Sequence, residues 1–372
     1  YVDMARAYVT VGLKDKAEKL MRMALYLDPK NRFVARAAAR FYIHIGDNER
    51  AAEIVRKTGF SRFDPWLMAS DISIAMMRGK RSGNIKKGQQ MIFSSSYTPF
   101  SISELASALG TVEMEYGTRK KSRDLFNQSL VDPNDNSLAQ AEWAMISARI
   151  PITIQSGLNV KCSHESKVYK ALELNDARES IHHAIDWICD MPFSLKPVFI
   201  GYEISTSLLR DYDLSSNILG VGLKSHPNDP WMLNNRAYVN ARINKLDEAE
   251  KDMEQLEHCN KALSESMSIC KEATHGLIAY RRKDREKGRK LYEQAILRAS
   301  TMKENSEEIK VKAQINMLRE EIIFSNYQNT SALMELEQLV IPNEKLELVK
   351  LRNEVFDEMK KMKRIKDESF AY

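Results

Sequence analysis

The feature that most constrains this chain is a spacing. Ala5, Tyr8, Gly12 and Ala17 recur 34 positions later as Ala39, Tyr42, Gly46 and Ala51. A period of that length holds one pair of helices, and each member of the pattern has a physical task. Alanines at two points let antiparallel helices approach closely. Gly12 can take the left-handed conformation that ends a helix. After Met21, Ala24 and Leu25, the pair Asp28-Pro29 stops the second helix and restarts the chain. One such hairpin exposes an apolar stripe that it cannot bury alone, so its neighbours must stack on it.

The pattern returns, less cleanly, along most of the chain. Leu109-Gly110, Gly117, Leu125-Phe126 and Asp132-Pro133 form one unit. Ser180, Ala184, Trp187 and Pro192 form the second half of another, and Ser215, Leu219, Gly222 and Pro227 follow one period later. Leu233, Ala237, Ala249, Met253 and Leu256 continue it, as do Gly276, Gly288, Tyr292 and Ala295. The longer step between these last two units places an extended connection around 259–267.

These residues resemble the tetratricopeptide repeat, whose period is 34 residues. The resemblance implies an all-α fold: a right-handed superhelical solenoid of stacked antiparallel helix pairs. The general style of the sequence is that of a bacterial member with divergent repeats. Composition agrees with helices. Only 14 glycines and 10 prolines occur in 372 residues, too few for an all-β or disordered chain of this length.

Three stretches depart from the period. Residues 64–93 keep helical length but lose register near Gly79, and 94–103 (SSSYTPFSIS) read as a loop. Residues 150–166 (IPITIQSGLNVKCSHES) carry proline, β-branched residues and glycine without helical periodicity. The expected organisation is therefore an N-terminal array over 1–150, an irregular linker over 151–166, a C-terminal array over 167–300, and terminal helices over 301–372 that cap the solenoid. Helices are expected over 304–324 and 343–366, the latter with Leu348, Leu351, Val355, Met359 and Met362 on one stripe.

Catalytic and metal motifs are not evident. Cys162-x-His164 and His258-Cys259 lack a second close ligand pair, and of His182-His183 one imidazole should be exposed and one packed beside Trp187. No phosphate-binding or nucleophile-elbow pattern occurs, and Glu320-Glu321 read as part of a solvated helix face. No catalysis, cofactor or metal is expected. The four cysteines form no CxxC pair and read as reduced thiols, which places the chain in the cytoplasm. No apolar run reaches the roughly 18 residues a membrane span needs, and no membrane association is expected. The chain opens at Tyr1 inside a helical pattern, so further residues are expected upstream.

The resemblance also implies a partner site. In the family, the first helix of each pair lines a concave groove. Carried over residue by residue, the groove positions are Arg6; Phe33, Arg36, Arg40 and His44; Trp231, Asn234, Tyr238 and Arg242; and Tyr280 and Arg281. Arg6, Arg36 and Arg40 would form a positive strip suited to carboxylates or phosphates. The family's two-carboxylate clamp is disfavoured, because Cys270, Ala273 and Thr274 stand where basic residues would be needed after Asn234 and Asn235. Two basic runs remain, Arg281 to Lys290 and Lys360 to Lys366, neither with the interleaved aromatics that stack bases. The expectation is a non-catalytic scaffold or adaptor that holds another protein or peptide, acidic where it meets the arginines. A nucleic-acid-binding repeat is the less favoured alternative, and the regulatory region of a larger enzyme is a third. The oligomeric state is not legible.

Overall fold

The computed structural model describes residues 1–57, 59, 62–94, 96–154, 160–259, 263–302 and 306–369, with side chains as far as Met362 except that of Ser147. Twenty α-helices and no strand occur among the described residues. Contacts divide the chain into two compact units, Tyr1–Pro197 and Val198–Tyr372.

Unit 1 contains α1 (Val2–Thr10), α2 (Lys14–Leu27), α3 (Arg32–His44), α4 (Asn48–Lys57), α5 (Pro65–Met77), α6 (Ile85–Ile92), α7 (Pro99–Tyr116), α8 (Arg119–Ser129), α9 (Asp135–Ser147), α10 (His164–Glu173) and α11 (Ala177–Asp190). The boundary between the units falls inside α12 (Leu195–Glu203). In unit 2, α12 runs into a π-helical turn, Ile204–Leu208, followed by α13 (Tyr212–Ser225), α14 (Pro230–Arg242), α15 (Leu246–Glu257), α16 (Glu265–Arg281) and α17 (Arg285–Thr301). Then come α18 (Ser306–Phe324), α19 (Thr330–Gln338), a 3-10 turn over Pro342–Glu344, and α20 (Leu346–Ser369).

Each unit is an all-α stack of helix pairs, as the repeat predicts. Helices pack on their chain neighbours, and every other helix packs on its counterpart in the next pair: α1 on α3, α3 on α5, α5 on α7 and α7 on α9, then α14 on α16 and α16 on α18. The small residues that defined the period lie at these contacts. Ala5, Ala17, Ala39, Ala51, Ala237 and Ala249 are buried, and so is Tyr42.

A single turn joins the two helices of most pairs. Gly12 (φ 78°), Gly46 (φ 87°), Gly79 (φ 63°), Asn175 (φ 57°), Arg210 (φ 56°), Asn244 (φ 60°) and Lys283 (φ 71°) all adopt the left-handed conformation. At each of six of them the next backbone N–H reaches five residues back: Leu13 to Tyr8, Asp47 to Tyr42, Lys80 to Ala75, Asp176 to Ala171, Lys245 to Asn240 and Asp284 to Ala279, all at 2.8–2.9 Å. This closure satisfies a helix C-terminal carbonyl and turns the chain back. At several turns the following aspartate then caps the second helix, as Asp47 does for the Arg50 N–H, Asp176 for Glu179 and Asp284 for Lys287. The turn at Gly79 follows the same scheme, so the repeat continues through the region where its register is lost in sequence. Gly12 and Gly46 are recognisable in advance from the repeat, whereas Arg and Lys do not announce a positive φ and Asn signals it less strongly than glycine.

The non-helical stretch after α9 does not divide the units. Ile150 and Ile152 are buried with Phe126, Leu130 and Ala141, and Ser166 donates to Glu142 at 2.7 Å, tying α10 to α9. The stretch is irregular but packed, and the division by contacts lies beyond it, at Pro197/Val198. Its residues 155–159 lie outside the described residues, as do 260–262 of the expected long connection, 304–305 of the expected helix start, and Ser95 of the expected loop.

In unit 2, α16 and α17 approach closely at Gly276 and Gly288. A Cβ on Gly288 would lie 2.5 Å from Tyr280 Cδ2 and 3.0 Å from the Gly276 carbonyl oxygen. Gly288→Ala should therefore lower stability by about 1–3 kcal/mol, because the backbone of the partner helix cannot give way. Lys283→Gly should raise it by about 0.5–1 kcal/mol, by relieving a left-handed residue that carries a Cβ. Urea unfolding of the two variants beside the unaltered chain checks both signs.

Candidate functional site

The arginines of α3 stand on one face at helical spacing, and tertiary packing gathers them with residues from six other segments. Arg6, Phe33, Arg36, Arg40 and His44 all line one cavity of about 500 Å³ in unit 1. Its other walls include Val2 and Val9 of α1, Met21 of α2, Trp66 of α5, Phe100 and Glu104 of α7, the start of α9, and Asp190, Met191 and Phe193 at and just beyond the end of α11. The cavity thus combines cations with aromatic and aliphatic surface, and Phe33 remains 60% exposed at its edge.

The positive strip expected from the sequence is interrupted. Arg36 is held by Glu104, its Nη2 lying 2.9 and 2.7 Å from the two carboxylate oxygens. Its guanidinium also stacks on the Trp66 ring at 4.7 Å, and Trp66 in turn packs on Phe100 at 5.5 Å. Glu104 takes further hydrogen bonds from Asn134 and Asn136, at 2.8 and 2.9 Å. Arg6 donates to the Asp190 carbonyl oxygen at 3.1 Å. His44 packs edge-on against Phe193 at 5.8 Å.

Arg40 differs from its neighbours. Among the described residues no carboxylate lies within ion-pair distance of it. Its guanidinium reaches solvent but is hemmed in by the cavity walls. That desolvation, reinforced by the charge of Arg36, lowers its pKa from the ordinary arginine value, against the opposing pull of Glu104 and Asp135. Burial also raises the pKa of the Asp135 carboxyl. Glu104 and Asp135 were absent from the sequence-derived set. They come from α7 and α9, and nothing local in the sequence links them to α3.

The second set of expected groove residues meets a different environment. Trp231 is 39% exposed at the start of α14, but Asn234 and Arg242 are buried, and Tyr280 is only 3% exposed. The chain's own last helices fill these positions. Arg242 donates to Glu354 of α20 at 2.7 Å and to the Tyr238 hydroxyl at 2.8 Å, and its guanidinium stacks on Tyr212 at 4.5 Å. The Tyr238 hydroxyl donates to Asn316 of α18 at 3.0 Å. Tyr280 donates to Glu321 at 2.6 Å, and Arg281 to Glu320 at 2.9 Å. These two glutamates are therefore buried partners and not a solvated face. Helix α20 reaches back to Arg210 and Tyr212 at the start of unit 2, through Asp357 and Glu354, so it lies along inner positions of the repeat instead of only capping an end. Its expected stripe is real: Leu348 and Val355 are buried against Ile315, Leu318 and Leu336.

The basic run from Arg281 to Lys290 is largely neutralised. Arg282 pairs with Asp247 and Glu250, while Arg285 and Arg289 pair with Glu321 at 2.6 and 2.8 Å. In the second run, 360–366, the side chains from 363 onward lie outside the described residues. One group of three residues able to hold a metal, His164, His183 and Asp186, lies at α10 and α11. Among the described residues no helix is long and apolar enough to cross a membrane.

The geometry defines an all-helical repeat protein with an arginine-aromatic cavity in unit 1. No protein-family model matches the chain, and no curated protein sequence does. Among solved structures it is similar to a tetratricopeptide repeat protein from Parabacteroides merdae, with 13% identity over 75% of this chain and 97% of that one and a TM-score of 0.31. It is also similar to yeast Tom70, at 11% identity over 96% of this chain and 88% of that one with a TM-score of 0.35. A third is the Cut9–Hcn1 hetero-tetramer of the APC/C, at 10% identity over 97% and 90% with a TM-score of 0.34.

Two outcomes follow for unit 2. Glu354→Leu should cost about 3 kcal/mol, because it leaves the buried Arg242 charge with the more distant Glu358, 3.8 Å away, while the double variant Arg242→Leu/Glu354→Leu should recover most of that loss. Denaturant unfolding of the three chains measures it. Burial by itself would raise the Glu321 carboxyl, but hydrogen bonds from Arg285, Tyr280 and Arg289 outweigh it and hold the group below the ordinary glutamate value. A depressed carboxylate stabilises the fold above its unfolded pKa and loses that contribution as pH falls through the folded value. Unit 2 should therefore weaken below about pH 4.5, near the free glutamate pKa, and Glu321→Gln should flatten that dependence in pH-resolved melts.

Proposed function

We propose that this protein is a non-catalytic interaction scaffold and that it holds an acidic segment of a partner protein in the cavity of unit 1. One observation carries the reading: Arg40 stands without a carboxylate partner, among the described residues, inside a cavity of about 500 Å³. A guanidinium held partly away from water interacts strongly with a carboxylate that arrives to pair with it. Around it, Phe33, Trp66, Phe100 and Phe193 offer ring faces and edges. The volume is within the usual span for ligand sites, a few hundred to about a thousand Å³. The favoured ligand is thus a carboxylate side chain with a large apolar side chain beside it.

The inner positions of unit 2 support the assignment of binding to unit 1, since Arg242, Tyr280 and Arg281 already hold carboxylates of the same chain. The same neutralisation of Arg282, Arg285 and Arg289 weighs against nucleic acid as the ligand. All four cysteines are free, in keeping with a reducing, cytoplasmic setting.

Selection of displayed random peptides on the full chain tests this. Enriched peptides should place Asp or Glu within a few residues of a large apolar side chain. Fluorescence anisotropy should show them bound at least about tenfold more weakly by Arg40→Glu, as expected for loss and reversal of a charge-assisted hydrogen bond worth about 1.5–3 kcal/mol. Peptides without acidic character, or equal binding by Arg40→Glu with the fold intact by circular dichroism, would overturn it.

A further inference from the structure

We propose that unit 1 also carries a zinc site, formed by His164, His183 and Asp186, apart from the cavity just described. His164 is the first residue of α10, and His183 and Asp186 stand one turn apart on α11. One ring nitrogen of each histidine and one Asp186 oxygen lie within 4.8 Å of one another. His164 Nδ1 is 3.8 Å from Asp186 Oδ2, too far for a hydrogen bond.

The second observation is independent of that proximity. The Nδ1 atoms of both His164 and His183 are buried and have no hydrogen-bond partner among the described residues. A buried polar atom without a partner is destabilising, and two of them beside one carboxylate call for an explanation. The Glu179 carboxylate lies 3.0 Å from His183 Nε2. It favours the proton on that nitrogen and leaves the Nδ1 lone pair free. A carboxylate behind a ligating imidazole is how proteins commonly fix the tautomer of a metal-bound histidine.

The donor set suits the ion. Two neutral imidazoles and one carboxylate are ligands zinc takes, with a fourth position left to water. Tetrahedral zinc with bonds of about 2.0–2.1 Å needs its ligand atoms roughly 3.3 Å apart. Binding would require side-chain rotations that bring the three ligand atoms together from their present separation. The ion would tie the first turn of α10 to α11, at the point where helix resumes after the irregular stretch. His182, the sequence neighbour of His183, is 69% exposed in its side chain and lies outside the group of three, although its Nε2 is 3.8 Å from the same Asp186 oxygen. The pattern escapes a sequence search because the ligands come from two helices with no close pair of Cys or His at the usual spacing.

Equilibrium dialysis of the full, reduced chain against Zn²⁺, and titration with Co²⁺ followed by visible absorption, test the site. The expected result is one equivalent bound, with the intense bands of tetrahedral cobalt. His164→Asn and His183→Gln should each weaken binding at least about tenfold and remove those bands. Glu179→Gln should weaken it by roughly tenfold, and His258→Ala, at the end of α15, should leave it unchanged. Circular dichroism establishes that the variants are folded. The proposal is overturned by the absence of stoichiometric binding, by binding undiminished in the His164→Asn/His183→Gln double variant, or by its loss in His258→Ala.

Discussion

The whole architecture depends on one backbone event, the left-handed residue that closes the first helix of a pair. Its successor's N–H reaches five residues back, the helix end is satisfied, and the chain is sent antiparallel. The geometry recurs at Gly12, Gly46, Gly79, Asn175, Asn244 and Lys283. Once it is set, small residues such as Ala5 and Ala17 decide how closely the two helices lie, and the apolar stripe of one pair has nowhere to go but against the next. The same turn tolerates glycine, asparagine and lysine, because the tertiary contacts on either side outweigh the modest cost of a Cβ in that conformation.

On this frame the two units use the same groove positions differently. In unit 1 the first helices turn arginines toward a cavity where their pairing is uneven: Arg36 pairs with Glu104, Arg6 donates to a carbonyl oxygen, and Arg40 has no carboxylate within ion-pair distance among the described residues. In unit 2 the corresponding cations meet Glu320, Glu321 and Glu354 from the chain's own last helices. A buried guanidinium is tolerable only with a partner. Unit 2 takes its partners from its own chain. The reading of unit 1 as the recognition site rests on that asymmetry.

The stack and its periodicity are legible in the residues. Alanines at 34-residue intervals, Gly12 and Asp28-Pro29 are local signals, and they act within one hairpin. Of the candidate site, the α3 residues Phe33, Arg36, Arg40 and His44 are legible as one face for the same reason, that spacing along a helix sets direction. Glu104, Asp135 and Trp66 are not, since they come to α3 from other helix pairs. The zinc ligands share this limit, with His164 on one helix and His183 and Asp186 on the next.

The sequence by itself determined that this chain forms paired helices, the period at which they repeat, and which faces stack, because those outcomes follow from propensity and period within some thirty-odd residues. Tertiary structure alone decided which charges remain available. Whether an arginine on an inner face is a binding group or a buried ion pair depends on which carboxylate arrives from far along the chain, Glu104 for Arg36 and Glu354 for Arg242. Electrostatic interactions act through space, and no periodicity in the sequence records which residues they join.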